Sequence, residues 1–274
     1  MRQPYVGGGR GSLVTAGGTD EEKVAELTSM IGLVHRAGLQ IGVHSTGDAA
    51  IDAVAAGYAK AVRSHPSVDA RHYVIHGDFT WPETLRSLAR NGCGINFNPN
   101  IKYLISDTQP DVVGAERSAY QTPYRSALRA GVRVASASDS PNVAPDWRQG
   151  LETILLREGA AGTVSGSEET IGVREALRTY TTTAAWQDHA DSWKGTLEPG
   201  MAADLCVLGQ RLFDAHGRLA VDAHDVSGTQ VDCTVVDGKI VYDGENAAQR
   251  KAAAQAQQVT WAVDPNPRLL CAHC

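Results

Sequence analysis

The sequence predicts an α/β protein: four parallel strand-helix units followed by a small β module. Three observations predict it. Apolar runs and segments of helical period alternate four times before Pro141, and that alternation makes successive strands parallel, each reached by a right-handed helical crossover. Beyond Gly195 the pattern turns to short strands, with Asp237-Gly238 between β-branched runs as in a hairpin. A composition 42% hydrophobic and 20% charged over 274 residues suits one large core or two smaller ones.

The elements follow in order. Val24, Leu27, Met30, Ile31 and Val34 recur at helical spacing between Glu21 and Ala37, and Gly38 stops that helix. The apolar stretch Leu39 to Val43 ends at His44. A helix over Ala49 to Val62, a strand Tyr73 to Ile75 ending at His76, a helix Pro82 to Arg90 and a strand Gly94 to Phe97 come next. A long loop runs through Pro110 to a helix over Tyr124 to Arg129, closed by Gly131. The strand Val132 to Ala137 then ends at Ser138-Asp139-Ser140-Pro141. Helices are predicted over Trp147 to Arg157, opening after Asp146, and over Val173 to Ala185, with Ala176, Leu177 and Tyr180 on one face. The module after Gly195 contains Gly195 to Gly200, Asp204 to Leu208, Val231 to Val236 and Ile240 to Tyr242. Residues 246–274, Ala- and Gln-rich and then Pro-containing, show no core-forming strand and are expected to be poorly ordered. The length would hold an eight-stranded barrel of about 250 residues, but only four units precede the β module. The sheet is therefore either small and open or half of a barrel.

A net charge of -6 with scattered basic residues excludes a phosphate-tracking surface, so no nucleic-acid partner is expected. No apolar run approaches the roughly 20 residues of a membrane span, and the Gly-rich opening lacks the apolar stretch of a signal peptide. A soluble, cytoplasmic protein with no membrane partner is expected. Five cysteines, an odd number, are expected to be reduced thiols. Cys271-Ala-His-Cys274 resembles part of a zinc knuckle but lacks a second ligand pair.

In β/α folds the loops leaving the carboxyl ends of the strands converge on one crevice. His44, His76 and Asp139 each stand at such an end, with only the third strand blank. Singly, a histidine after a strand is more often a hydrogen-bonded packing residue, and an Asp before Ser-Pro an ordinary turn or cap. Their joint placement favours a shared site, since imidazole suits zinc-like ions and a carboxylate beside water can take its proton. Asp48 and Asp78 follow the two histidines, where capping or loop roles are favoured; Asp48 is the better candidate for touching substrate. The remaining histidines, His35 and His72 among them, are read as structural or solvated, and Glu168-Glu169 as a solvated loop.

At these residues the sequence resembles the amidohydrolase superfamily, in the branch called amidohydrolase family 3, which includes enzymes similar to N-substituted formamide deformylase. The matching text is Ala37-Gly-Leu-Gln-Ile-Gly-Val-His-Ser-Thr-Gly-Asp-Ala49, Arg71-His-Tyr-Val-Ile-His76 and Pro123 to Pro141. Gly195-Thr-Leu-Glu-Pro-Gly-Met-Ala-Ala-Asp-Leu205 and Val235-Val-Asp-Gly-Lys-Ile-Val-Tyr242 also match. The resemblance implies a (β/α)8 TIM-like barrel in which His44 ends strand five, His76 strand six and Asp139 strand eight. Residues 1–194 are then a partial barrel, and residues 195–245 part of a β-sandwich. It implies one or two divalent ions, usually Zn2+, held by His44, His76 and Asp139. Asp139 would also carry a proton to the departing nitrogen as metal-activated water opens a C–N bond in a small amide or formamide.

Two features of the family are missing. No His-x-His pair occurs, and Ile95-Asn-Phe-Asn-Pro99 differs from the Gln-Pro text usual after strand seven. By this resemblance the first half of the barrel is absent from the chain, leaving strand edges and an inner face open. A homo-oligomer, or pairing with a complementary N-terminal half, is expected. The alternatives are an inactive family fragment and a non-catalytic interaction module.

Overall fold

The computed structural model describes residues 1–246. The first helix, α1 (Asp20–Arg36), opens at a capping box in which Thr19 Oγ1 accepts from the Glu22 amide (3.2 Å) and Glu22 returns a carboxylate to the Thr19 amide (3.0 Å). It ends where Gly38 takes a φ of 72°.

Next come β1 (Gly42–Ser45), α2 (Asp48–Ser64), β2 (Tyr73–His76), α3 (Pro82–Arg90) and β3 (Gly94–Phe97). The expected long loop instead holds three short helices, α4 (Pro99–Ile105), α5 (Gln109–Val113) and α6 (Ala115–Tyr120), before α7 (Tyr124–Arg129) and β4 (Arg133–Ser136). Proline in the first turn of α4 and of α5 sets the φ each helix start needs and sacrifices no ladder bond.

The four strands form one parallel sheet in the order β1-β2-β3-β4, as the alternation predicts. Val43, Val74, Ile95 and Val134 lie side by side across it, and the last three are fully buried in the core with Ile51, Val54, Leu85 and Leu88 from the helices. The next row, His44, Ile75, Asn96 and Ala135, points to the opposite face. That face is covered at Ala135 and open at His44. At the other end of the strands Trp186 fills the inner face against Gly94, with the guanidinium groups of Arg71 and Arg133 5.3 and 5.7 Å from its ring centre.

After β4 comes α8 (Trp147–Leu156), capped by the Asp146 carboxylate on the Arg148 amide (3.0 Å). The single helix predicted over Val173 to Ala185 is two, α9 (Val173–Tyr180) and α10 (Thr182–Gln187), broken at Thr181. Glu169, expected in solvent, is buried and accepts from the Ser126 amide (2.9 Å) at the start of α7. The module beyond is an antiparallel sheet, β5 (Leu205–Leu208), β6 (Val231–Val236) and β7 (Lys239–Asp243), with the Asp237-Gly238 turn in place. The Gly195–Gly200 stretch forms turns rather than strand. Cys93, Cys206 and Cys233 are free thiols, while Cys271, His273 and Cys274 lie outside the described residues. Among the described residues no helix is long and apolar enough to cross a membrane.

Candidate functional site at the carboxyl ends of the sheet

His44 and His76 stand on neighbouring strands, and their imidazole rings meet edge to face with centroids 4.5 Å apart. His44 is exposed. His76 is buried, at a φ of 69° that turns the chain out of the sheet. Burial and the neighbouring His44 hold the His76 pKa below its ordinary value, against the weaker pull of Asp139 and Asn98, so its imidazole is neutral at neutral pH.

Asp139, three residues past β4, also has a positive φ of 70° and is tied into its own loop, where Asn142 Nδ2 donates to Oδ2 at 3.0 Å. Its charge reaches both His76 and Asp78. The structure thus brings the two histidines into contact, with Asp139 in the loop after β4, near enough for its charge to act on His76. Among the described residues, however, no group of three or more His, Cys, Asp and Glu side chains is arranged to hold a metal ion. The donors fit a divalent cation in kind and fall short of a closed set.

The strand that is blank in sequence contributes Asn98, buried just past β3 with Oδ1 unpartnered and Nδ2 donating to the Ala137 carbonyl (3.3 Å). Asp48 begins α2 and is buried. Its Oδ1 accepts from the Arg2 and Ala49 amides (2.6 and 2.8 Å), and its Oδ2 from Trp81 Nε1 (3.2 Å). Trp81 in turn stacks on Tyr120 at 4.8 Å. Asp48 therefore knots together the loops after β1 and β2 and the segment around Arg2.

Asp78 sits deeper than a cap. Burial pushes its pKa up to about 7, opposed by Gln121, which faces it without a well-formed hydrogen bond, and by Lys102, and reinforced by Asp139. Lys102, on α4, is 1% exposed, and desolvation with the nearby Arg157 draws it down to about 7. Sequence reasoning missed Lys102 because nothing in a presumed loop marks a lysine as buried.

His35 and His72 gather at the opposite end of β2, outside the site. Ile41 N–H donates to His72 Nδ1 (3.1 Å), His72 Nε2 meets His35 Nδ1 (2.9 Å), and His35 Nε2 meets the His65 carbonyl (3.0 Å).

The scaffold is thus a parallel β/α sheet with two imidazoles in contact where adjacent strands end. The chain belongs to the amidohydrolase family, whose model matches residues 1–242. It is 30% identical over 208 residues to the N-substituted formamide deformylase of Arthrobacter pascens, an alignment covering 75% of this chain and 37% of that protein. It is 26% identical over 212 residues to YtcJ of Bacillus subtilis (strain 168), covering 75% and 38%. The chain thus spans less than two-fifths of the length of these relatives. The same fold occurs in an uncharacterized metal-dependent hydrolase from Pyrococcus horikoshii OT3, with a TM-score of 0.61, 20% identity, and coverage of 73% of this chain and 39% of that one.

Proposed function

We propose that this chain supplies the later strands of a metal-dependent amidohydrolase barrel, strands five to eight, followed by part of a β-sandwich. The reaction is hydrolysis of a non-peptide C–N bond in a small amide or formamide. One observation carries the reading: His44 and His76, far apart in sequence, touch at the carboxyl ends of adjacent parallel strands. The name of the Arthrobacter relative and the metal-dependent neighbour from Pyrococcus support the substrate class and the cation.

His44 and His76 would hold a divalent ion, Zn2+ in this reading, with Asp139 as a third donor or proton carrier. When bound, the ion supplies a Lewis acid that polarises the amide carbonyl and acidifies water. His76 presents a neutral imidazole. Asp139 takes the proton from the attacking water and delivers it to the departing nitrogen. Asp48 shapes the substrate side of the mouth by holding Trp81 in place. Because the described residues make no closed donor set, the chain alone binds metal weakly and turns over slowly. A second polypeptide carrying the missing donors, or another copy of this chain, completes the site.

The test is an amidase assay on N-formyl and N-acyl amines with added zinc, with and without a polypeptide bearing His-x-His. Turnover is expected to be slow for the chain alone and much faster when the two are combined, and Asp139→Asn is expected to lower kcat by about 10²–10⁴. Undiminished turnover after replacing both His44 and His76 by Asn would overturn the assignment.

A further inference from the structure

Asn98 stands just past the end of β3, the strand that lies between β2, which ends at His76, and β4, which leads to Asp139. It is only 3% exposed. It is also the N-cap residue of α4, a position where an asparagine side chain ordinarily accepts from the first amides of the helix. Here the side chain makes no capping bond. Instead Nδ2 reaches to the β4 side and donates to the Ala137 carbonyl (3.3 Å), two residues before Asp139. The Ala137 amide is itself held by the Phe97 carbonyl (3.0 Å). The Asn98 amide therefore adds one more tie between β3 and the loop that carries Asp139.

With Nδ2 committed there, the oxygen is the end of the amide left for the β2 side. Asn98 Oδ1 is buried and has no well-formed hydrogen bond, a state that folded proteins rarely leave unexplained. Asn98 raises the proton affinity of His76, which is the effect of an acceptor oxygen facing the ring and not of an amide NH2. A neutral imidazole carries one N–H, and only its other, bare nitrogen can ligate a cation. Ligating histidines almost always give that N–H to a fixed acceptor.

We propose that Asn98 is a positioning residue for His76. Its Oδ1 takes the imidazole N–H, which holds the ring in one tautomer and leaves the other nitrogen bare, while Nδ2 couples that arrangement to the Asp139 loop. The proposal deepens the reading of His76 as a metal ligand and rests on it only in the zinc arm of the test.

The experiment records nitrogen NMR spectra of the full chain, isotope-labelled at histidine, in EDTA at about pH 8, where imidazole is neutral. His76→Asn identifies the His76 signals. The parent is expected to show one dominant tautomer at His76. Asn98→Leu should bring both tautomers to comparable population, with the signals of His35 and His72 unmoved as the sign of an intact fold. Asn98→Asp, which keeps an acceptor oxygen, should keep the single tautomer. Should Asn98→Leu fail to fold, Asn98→Ala takes its place with the same expectation. In the second arm, zinc added to chelator-free protein should bind about 10–100-fold more weakly to Asn98→Leu than to the parent, and no more weakly to Asn98→Asp. A mixed tautomer in the parent, or a single one that survives removal of the acceptor, overturns the proposal. Zinc that binds none of these proteins would contradict the metal reading instead, and the tautomer comparison would still decide the role of Asn98.

Discussion

Replacing His72 by Asn should flatten the acid side of this protein's stability profile. In the chain from Ile41 through His72 and His35 to the His65 carbonyl, His72 Nδ1 accepts a backbone N–H, which leaves Nε2–H to donate to His35. A proton added at His72 has no acceptor on the Nδ1 side. Burial, with His35 alongside, accordingly lowers the His72 pKa to about 4 from an ordinary 6.5. Between those values the unfolded chain holds the extra proton, so stability falls as pH drops from 6.5 toward 4, by at most about 1.4 kcal/mol per pH unit from this group. Urea unfolding across that range checks it: the parent should lose stability on acidification, and His72→Asn should lose less, because Asn keeps an acceptor for Ile41 N–H and cannot titrate. At this scale the places of His44, His76 and Asp139 at or just past the ends of β1, β2 and β4 were legible, since strand ends can be read from an apolar run and its terminator. The burial of Asp78 and Lys102 was not. Both depend on α4 and α6 closing over the loop after β2, a tertiary event with no local periodicity to announce it.

Secondary structure was legible where side chains repeat with a clear period or a cap stands at the end. The bounds of α3, α7, β3 and β6 coincide with expectation, and Asp146 opens α8 as its residue type suggests. Two elements departed from it. The segment from Pro99 to Tyr120 is too finely broken for any helix to show a second turn of pattern. The continuous helix expected over Val173 to Ala185 breaks at Thr181 because consecutive threonines turn their hydroxyls back on the helix, Thr181 Oγ1 to the Leu177 carbonyl (2.9 Å) and Thr182 Oγ1 to that of Arg178 (3.4 Å). That break lets α10 place Trp186 across the strand ends. Thr19→Ala removes half of the α1 capping box and should cost about 1 kcal/mol in chemical denaturation. Gly150→Ala should cost more, about 1–3 kcal/mol, since a methyl group there collides with the Tyr180 hydroxyl and Asn100 where α8 crosses α4. A neutral result for Gly150→Ala would mean that this crossing is looser than described.

The whole molecule has a well-packed face and an open one. Helices bury the Val74, Ile95 and Val134 row, whereas the opposite face is covered at Ala135, half-buried at Ile75 and Asn96, and open at His44. The β5–β7 sheet likewise leaves Ile240 and Val241 more than 60% exposed. Apolar surface of this kind calls for a partner, and sedimentation of the 29.1 kDa chain should show concentration-dependent association. A strictly monomeric species at all concentrations would argue against that expectation. The parallel order of the sheet followed from β/α alternation alone, whereas an open inner face was expected only from the family resemblance, because periodicity reports what a strand can bury and not what is present to bury it.

The central claim is that His44 and His76 share a divalent ion at the mouth of this scaffold. X-ray absorption at the zinc edge of the zinc-loaded chain tests it most directly. The account predicts imidazole scattering in a nitrogen and oxygen shell at about 2.0–2.1 Å, lost when both histidines are replaced by Asn. A sulfur shell at about 2.3 Å, or a spectrum unchanged by the double replacement, would contradict it.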